Sequence, residues 1–228
     1  MQWLYQAKKK YKLTILNYML TSNHVHLFVV DTGKRDVIPK SMQLVAGRTG
    51  QEYNQRKNRK GAYWEDRYHA TAVESGEHLA RCMVYIDTNM VRAGVVRHPS
   101  RWSFSGYNEI QEPRRKNILI DYEKLRLLIG SESYDNFKSS HRGWVEEYLG
   151  NGAEGRQDGW TASIAVGSES FVENMKSVLG LKAKGRDVIE GVGRYQLREE
   201  VAPYMTLFRA GKDDIDPENA HFWDVNTE

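Results

Sequence analysis

His24 and His26 stand one residue apart in Asn23-His24-Val25-His26-Leu27-Phe28-Val29-Val30, two imidazoles inside an apolar, β-branched run. Residues two apart on a strand project from the same face, so both rings can converge on one ion while Val25 and Leu27 face the other way. The same spacing also suits two polar residues on the wet face of a half-buried strand, and the pair alone does not choose between these readings. Tyr85-Ile86-Asp87-Thr88-Asn89 adds what the pair lacks. From about Glu77 to Met90, Leu79, Met83, Ile86 and Met90 recur at spacings of four, three and four, the apolar stripe of an amphipathic helix. A turn of roughly 100° per residue puts His78, Cys82, Tyr85 and Asn89 on an adjoining stripe, at the edge of the buried face. An amide oxygen is a neutral, hard ligand, so Asn89 can complete a three-ligand shell with the two imidazoles and leave positions open for phosphate oxygens. Tyr85, one turn back, is then placed as a nucleophile; standing alone, such a tyrosine is an ordinary half-buried packing residue.

The elements that must position these groups can be read coarsely. A helix end near 2–10 precedes a strand near 12–19, and a turn at Thr21-Ser22-Asn23 leads into the histidine strand at 24–30. Pro39 suits a first helical turn, with Met42, Leu44, Val45 and Tyr53 carrying a helix to about residue 55. A strand near 67–73 precedes the tyrosine helix, with Ser75 as its N-cap and Gly94 just beyond its end. This order predicts an α+β fold with an antiparallel sheet. Past about residue 118 the pattern changes. Asp121 can cap a short helix ending at Gly130; Phe137, Trp144, Val145 and Leu149 suggest another; Ser168 can cap a third through Leu179. Residues 150–159, rich in Gly, read as a linker. The chain divides into a chemistry-bearing region at 1–118 and a mainly helical accessory region at 119–228, whose Trp144, Trp160 and Trp223 read as packing anchors.

The net charge is only +3, from 33 basic and 30 acidic residues, so nucleic-acid binding cannot be argued from the total. Its distribution is more informative. Arg56-Lys57-Asn58-Arg59-Lys60 concentrates positive charge beside Tyr53, Tyr63 and Trp64, rings able to stack on unpaired bases, with Arg67 following. A solvated loop is the plainer reading of such a run. After Lys212 the tail is acidic, with Asp213, Asp214, Asp216, Glu218, Asp224 and Glu228. The single cysteine, Cys82, excludes an intramolecular disulfide framework and fits a reducing compartment. No apolar run reaches membrane-spanning length and no secretory signal is legible, so the expected location is the cytoplasm.

His-hydrophobic-His on a strand, followed by Tyr-x-x-x-Asn on a helix, resembles the IS200-like single-tyrosine HUH transposases, and most closely the REP-associated tyrosine transposases. The likeness runs from about Leu13 to Tyr107. It includes Tyr18 to Leu27 as YMLTSNHVHL, Gly61 to Thr71 as GAYWEDRYHAT, Tyr85 to Val96 as YIDTNMVRAGVV, and Trp102 to Tyr107 as WSFSGY. The resemblance implies a ferredoxin-like antiparallel sheet with helices on one face. It also implies Mg2+ or Mn2+ on His24, His26 and Asn89, Tyr85 as the catalytic nucleophile, single-stranded or hairpin DNA as partner, and in some relatives a homodimer with shared active sites. On this reading Arg56, Lys57, Arg59, Lys60, Tyr63, Trp64 and Arg67 would hold the nucleic acid. Two departures stand out. Met90 follows the asparagine where members usually have Pro. Members also begin with a strand, a loop and most of a helix before the segment matching Leu13, whereas this chain opens at Met1-Gln2-Trp3-Leu4-Tyr5, so a first strand is expected to be missing and a sheet edge left unpaired.

The implied reaction is metal-dependent nicking and joining of single-stranded DNA through a 5′-phosphotyrosine. A free tyrosine titrates near ~10, so deprotonation needs help, for which His78 is the candidate base. A metal-dependent hydrolase built on His-x-His would want another ligand close by, but the position two beyond His26 is Phe28. The alternative is a noncatalytic DNA-binding remnant of such a transposase.

Overall fold

The computed structural model describes residues 1–199 apart from 153, 154 and 156; the acidic tail and Trp223 lie outside the described residues. In chain order the elements are α1 (Gln2–Tyr11), β1 (Ile15–Leu20), β2 (Val25–Val29), α2 (Val37–Arg56), β3 (Ala72–Val73), α3 (Glu77–Asp87), α4 (Asn89–Arg92) and α5 (Gly106–Gln111). They continue with α6 (Tyr122–Ile129), α7 (Tyr134–Gly150), α8 (Gly159–Ala162), β4 (Ala165–Gly167), α9 (Glu169–Leu179), β5 (Arg186–Gly191) and β6 (Arg194–Glu199). The class is α+β.

β1 and β2 form an antiparallel hairpin, with Tyr18 opposite Leu27 and Met19 opposite His26. β1 is an apolar run buried on both faces, because α3, α5 and α6 pack against it while α1 closes one end. β2 is half-buried at every position and carries no second strand partner among the described residues, so it forms an open edge. The far side of β1 is partly covered by short bridges, Ile15 to Ile120 and Met19 to Ser105. A fuller ferredoxin-like sheet is therefore not built around the histidine strand among these residues.

The strand expected near 67–73 shrinks to Ala72–Val73 and pairs elsewhere. It runs parallel to β4, in a second sheet of order β3-β4-β6-β5. Two hydrogen bonds draw it there: the His69 ring and the Thr71 hydroxyl both meet the Ser163 carbonyl, at 2.9 and 2.6 Å. The upstream residues Glu65 to Ala70 are exposed and polar, with no apolar face to anchor a longer strand. The C-terminal region holds α6 to α9 and, in addition, the three strands β4, β5 and β6. In the β5–β6 hairpin β6 alternates polar and apolar residues, as Arg-Tyr-Gln-Leu-Arg, while β5 reads Arg-Asp-Val-Ile-Glu without alternation, across a turn at Val192-Gly193.

α3 starts one residue later than its expected cap: Gly76, with φ 76°, occupies the N-cap position and Ser75 is exposed. The expected stripe of Leu79, Met83, Ile86 and Met90 is buried. So is much of the remaining circumference, since Val84 packs with Tyr107 and Val145, and Asp87 is fully enclosed. Asp121 and Ser168 cap α6 and α9 as expected, accepting from Lys124 N–H at 3.0 Å and Phe171 N–H at 3.3 Å.

Gly106, inside the WSFSGY segment, permits the close approach of α5 to β1. A Cβ there would collide with Asn17 Oδ1 and lie 3.1 Å from the Tyr18 nitrogen. Asn17 is not free to yield, because its Oδ1 accepts from Tyr18 N–H at 2.8 Å and its Nδ2 donates to Asp87 at 3.0 Å. Gly106→Ala is therefore expected to cost about 1 to 3 kcal/mol in urea unfolding, as overpacking of a filled site does.

Candidate active site

The turn that launches β2 fixes the first imidazole. Thr21 N–H donates to the His24 carbonyl at 3.0 Å and His24 N–H donates back to Thr21 Oγ1 at 3.1 Å. His24 Nδ1 lies 2.8 Å from Asn23 Oδ1 and 3.0 Å from Thr21 Oγ1, so the turn holds the ring by this nitrogen. His26 follows two residues on, its ring 4.9 Å from that of His24 and nearly perpendicular to it. His24 is exposed and His26 half-buried.

The second half comes from the end of the tyrosine helix. The helix breaks at Thr88, whose hydroxyl donates to the Val84 carbonyl at 2.7 Å, and Asn89 opens α4. Asn89 Nδ2 then lies 3.2 Å from His26 Nε2. Its N–H donates to that nitrogen, so the His26 lone pair and the Asn89 amide are directed at one another. A half-turn of the amide would replace the donor by Oδ1, bringing an oxygen ligand beside the His26 ring nitrogen and the neighbouring His24 imidazole. That donor set suits a hard divalent cation with open positions. Among the described residues no three His, Cys, Asp or Glu side chains come together to hold an ion, so any metal centre here depends on the amide.

Tyr85 lies beside this trio, its ring centroid 6.4 Å from that of His26. It is held on several sides. The Arg92 guanidinium stacks 3.9 Å from its ring centroid while Nη1 donates to the Tyr85 carbonyl at 2.7 Å and to Thr88 Oγ1 at 2.6 Å. Trp160, from the C-terminal region, packs 6.3 Å away and carries Arg194 over its own face at 4.5 Å. Trp160 is thus a packing anchor, as its sequence context suggested, but what it anchors is the site tyrosine.

Competing nucleophiles are disfavoured by their surroundings. Burial pushes the Cys82 thiol up to about 12, leaving it protonated at neutral pH. Tyr18 is fully buried, donates to Glu109 at 2.9 Å, and is driven far above the ordinary range by desolvation and that carboxylate. The same causes push Tyr122 up to about 12. His78 does not reach Tyr85: it pairs with Glu74 at 3.6 Å, two turns back and so ~10 Å along the helix axis.

The basic segment folds back over the end of α2. Tyr53 lies at its centre, with Arg56 and Arg59 at 5.9 and 5.6 Å from its ring and Tyr63 at 4.5 Å. Arg59 Nη2 also donates to the Ala62 carbonyl at 3.0 Å. Tyr63 reaches the turn before the histidines, its hydroxyl 3.5 Å from the Ser22 carbonyl. Trp64 docks its indole N–H on the Ala46 carbonyl at 3.1 Å, so one edge of its ring belongs to the fold. Lys57, Lys60 and Arg67 are exposed.

Sequence reasoning missed a buried polar chain behind the site. Asp87, between Tyr85 and Asn89, accepts from Asn17 Nδ2 at 3.0 Å and from His141 Nε2 at 2.8 Å, and both acid and imidazole are fully enclosed. Gln111 Nε2 donates to His141 Nδ1 at 3.0 Å, and Arg142 holds the Gln111 oxygen at 3.1 and 2.9 Å. The one available signal was an acid on what should be a covered helix face.

No curated protein and no solved structure matches the chain. Residues 1–89 match the family described as transposase IS200 like, a span that ends on Asn89 and contains both histidines and Tyr85. This N-terminal part of the chain is therefore similar to the IS200-like transposases.

Proposed function

We propose that the chain nicks and rejoins single-stranded, hairpin-bearing DNA through Tyr85, with Mg2+ or Mn2+ held by His24, His26 and Asn89, in the manner of REP-associated tyrosine transposases. The observation that carries this reading is the 3.2 Å approach of Asn89 to His26 Nε2, with Tyr85 one helical turn behind and its ring against His26. A divalent ion held by His24, His26 and Asn89 would supply Lewis-acid charge withdrawal from the scissile phosphate and help to orient it for in-line attack. Tyr85 Oη forms its bond to phosphorus as the bond to the 3′-oxygen breaks; that oxygen takes up a proton and leaves as a hydroxyl, and the 5′-phosphate stays on the tyrosine. Attack by a second 3′-hydroxyl reverses the step and rejoins strands without ATP. Arg92 and Trp160 hold the ring in place. Residues 119–228 serve as an accessory region that braces the tyrosine helix through His141 and Trp160, and the setting is the cytoplasm.

The test is incubation of the chain with labelled hairpin-bearing single strands, with and without Mn2+, followed by denaturing electrophoresis. A slow-migrating adduct that needs the ion and disappears with EDTA is the expected outcome. Binding without any adduct, in the presence of either ion, would instead favour the noncatalytic remnant.

In the same reading Arg56, Lys57, Arg59, Lys60 and Arg67 track the backbone of the incoming strand, with Tyr53, Tyr63 and Trp64 beneath it. Neutralising Lys57 and Lys60 is expected to flatten the salt dependence of single-strand binding by about 0.7 per lost phosphate contact in a log–log plot, with little change in base preference. An unchanged slope would remove this loop from the DNA path.

A further inference from the structure

A second cationic surface lies away from the histidines. The end of α1 supplies Lys8, Lys9 and its C-cap Lys12, and the loop between α5 and α6 supplies Arg115 and Lys116. Between them is an open groove of about 710 Å³. Its walls are tied together by the fold. Lys8 Nζ donates to the carbonyls of Ile118 and Leu119 at 3.1 and 2.9 Å, and Asp121 N–H donates to the Ile15 carbonyl at 2.8 Å. Lys9, Lys12, Arg115 and Lys116 are exposed, and none makes an ion pair among the described residues. The only carboxylate on the lining, Asp121, is engaged in capping α6. Both walls hold a non-glycine residue in the left-handed region, Lys12 at φ 60° and Asn117 at φ 54°. Glycine is the undemanding occupant of a helix-terminating left-handed position, so Lys12 places a cation on the rim where no local need of the backbone asks for one.

The groove opens at the start of β1, beside Leu13 and Thr14, whereas the histidine turn follows its end. At about 3.3 Å per residue from Thr14 to Leu20 the two are ~20 Å apart. That span equals about six nucleotide steps at roughly 3.4 Å each. The two cationic surfaces also differ in kind. The segment at 53–64 sets its four basic residues between Tyr53 and the pair Tyr63 and Trp64, three rings of the kind that unpaired bases require, while the groove offers charge with Tyr5 as its one lining ring. A surface of that composition suits a ligand that presents phosphates and hides its bases. We propose that this groove is a second DNA contact, which takes the phosphate backbone of a duplex segment flanking the single strand at the histidine site. The proposal rests on the DNA-processing reading but not on catalysis.

The experiment is fluorescence anisotropy on the full chain, with a short blunt duplex and a single strand of equal length as separate probes, across a salt series without divalent metal. Combining Lys9→Gln, Lys12→Gly, Arg115→Gln and Lys116→Gln should weaken duplex binding by about tenfold or more at low salt and flatten its slope by ~0.9 per lost contact. Single-strand affinity should stay within about twofold, because stacking and the 56–60 charges remain. Lys12→Gly preserves the left-handed backbone, and Lys116→Gln alone, on an exposed loop, gives a slope change of ~0.9 should the combined variant fold poorly. Lys9→Arg with Lys116→Arg should bind duplex like the parent. An unchanged duplex slope, an equal loss on both probes, or a parent that binds single strand but no duplex would each overturn the groove while leaving the active-site reading intact. A parent that binds neither probe would overturn both.

Discussion

Tyr85→Phe is expected to abolish covalent capture of DNA, lowering adduct yield by on the order of 10³-fold or more, while the fold and DNA binding persist. The substitution removes one oxygen and keeps the ring. Arg92 still finds an aromatic face, Trp160 still has its neighbour, and the His26 edge contact remains. Stability should therefore change by less than about 1 kcal/mol, which a thermal melt checks. Tyr85→Ala is the informative contrast. It opens a cavity against Met19, Cys82, Ile86 and Trp160, and should cost about 3 to 5 kcal/mol as well as the chemistry. If Tyr85→Phe still formed the adduct at parental yield, another tyrosine would have to be the nucleophile. Tyr18, buried, and Tyr122, half-buried, both beside Glu109, are poor replacements, since their protons are held more tightly than usual.

The parts of this site that could be read in the sequence are those where local periodicity and function coincide. Strand alternation and helix turning bring out His24 with His26 and Tyr85 with Asn89, although in the fold His24 precedes β2 and the helix breaks at Thr88, between Tyr85 and Asn89. Helix ends with side-chain caps, Asp121 and Ser168, were legible for the same reason. What could not be read depends on partners distant in sequence. β3 is two residues long and its pairing is decided by Ser163 and β4, more than ninety residues away. Trp160 carries no mark that it will lie against Tyr85. Nor does Asp87 announce its partner: its place between Met83 and Met90 marks it as an acid on a covered face, but the imidazole that pairs with it comes from α7, more than fifty residues away. The C-terminal hairpin was missed because only β6 alternates, over six residues, and β5 does not, too weak a signal against the stronger helical patterns around it.

That buried aspartate yields the second large effect. Asp87→Asn is nearly isosteric, yet it should destabilise the chain by about 3 to 5 kcal/mol, a large part of the ~5 to 15 kcal/mol that holds a domain together. The reason lies in donor and acceptor roles along the chain of contacts. Arg142 pins the Gln111 oxygen, so the Gln111 amide N–H must face His141 Nδ1, and His141 must then present its N–H from Nε2 to Asp87. Asn17 likewise offers an N–H to the other carboxylate oxygen. An asparagine at 87 that keeps its oxygen toward Asn17 sets its own N–H₂ against the His141 N–H, donor against donor. Shifting the proton to Nδ1 only moves the clash to Gln111. His141→Ala should cost a similar amount by leaving the Asp87 carboxylate buried without its partner, and the double variant should lose clearly less than the two single losses added together. Additive losses of under about 1 kcal/mol each in urea unfolding would show that the pair is not coupled. The consequence for function follows from position. Asp87 sits between Tyr85 and Asn89, and its bond to His141 clamps this turn of the helix to α7. In Asp87→Asn, covalent capture should therefore fall at temperatures where circular dichroism still reports a folded chain, and weaker clamping rather than global unfolding would be the cause.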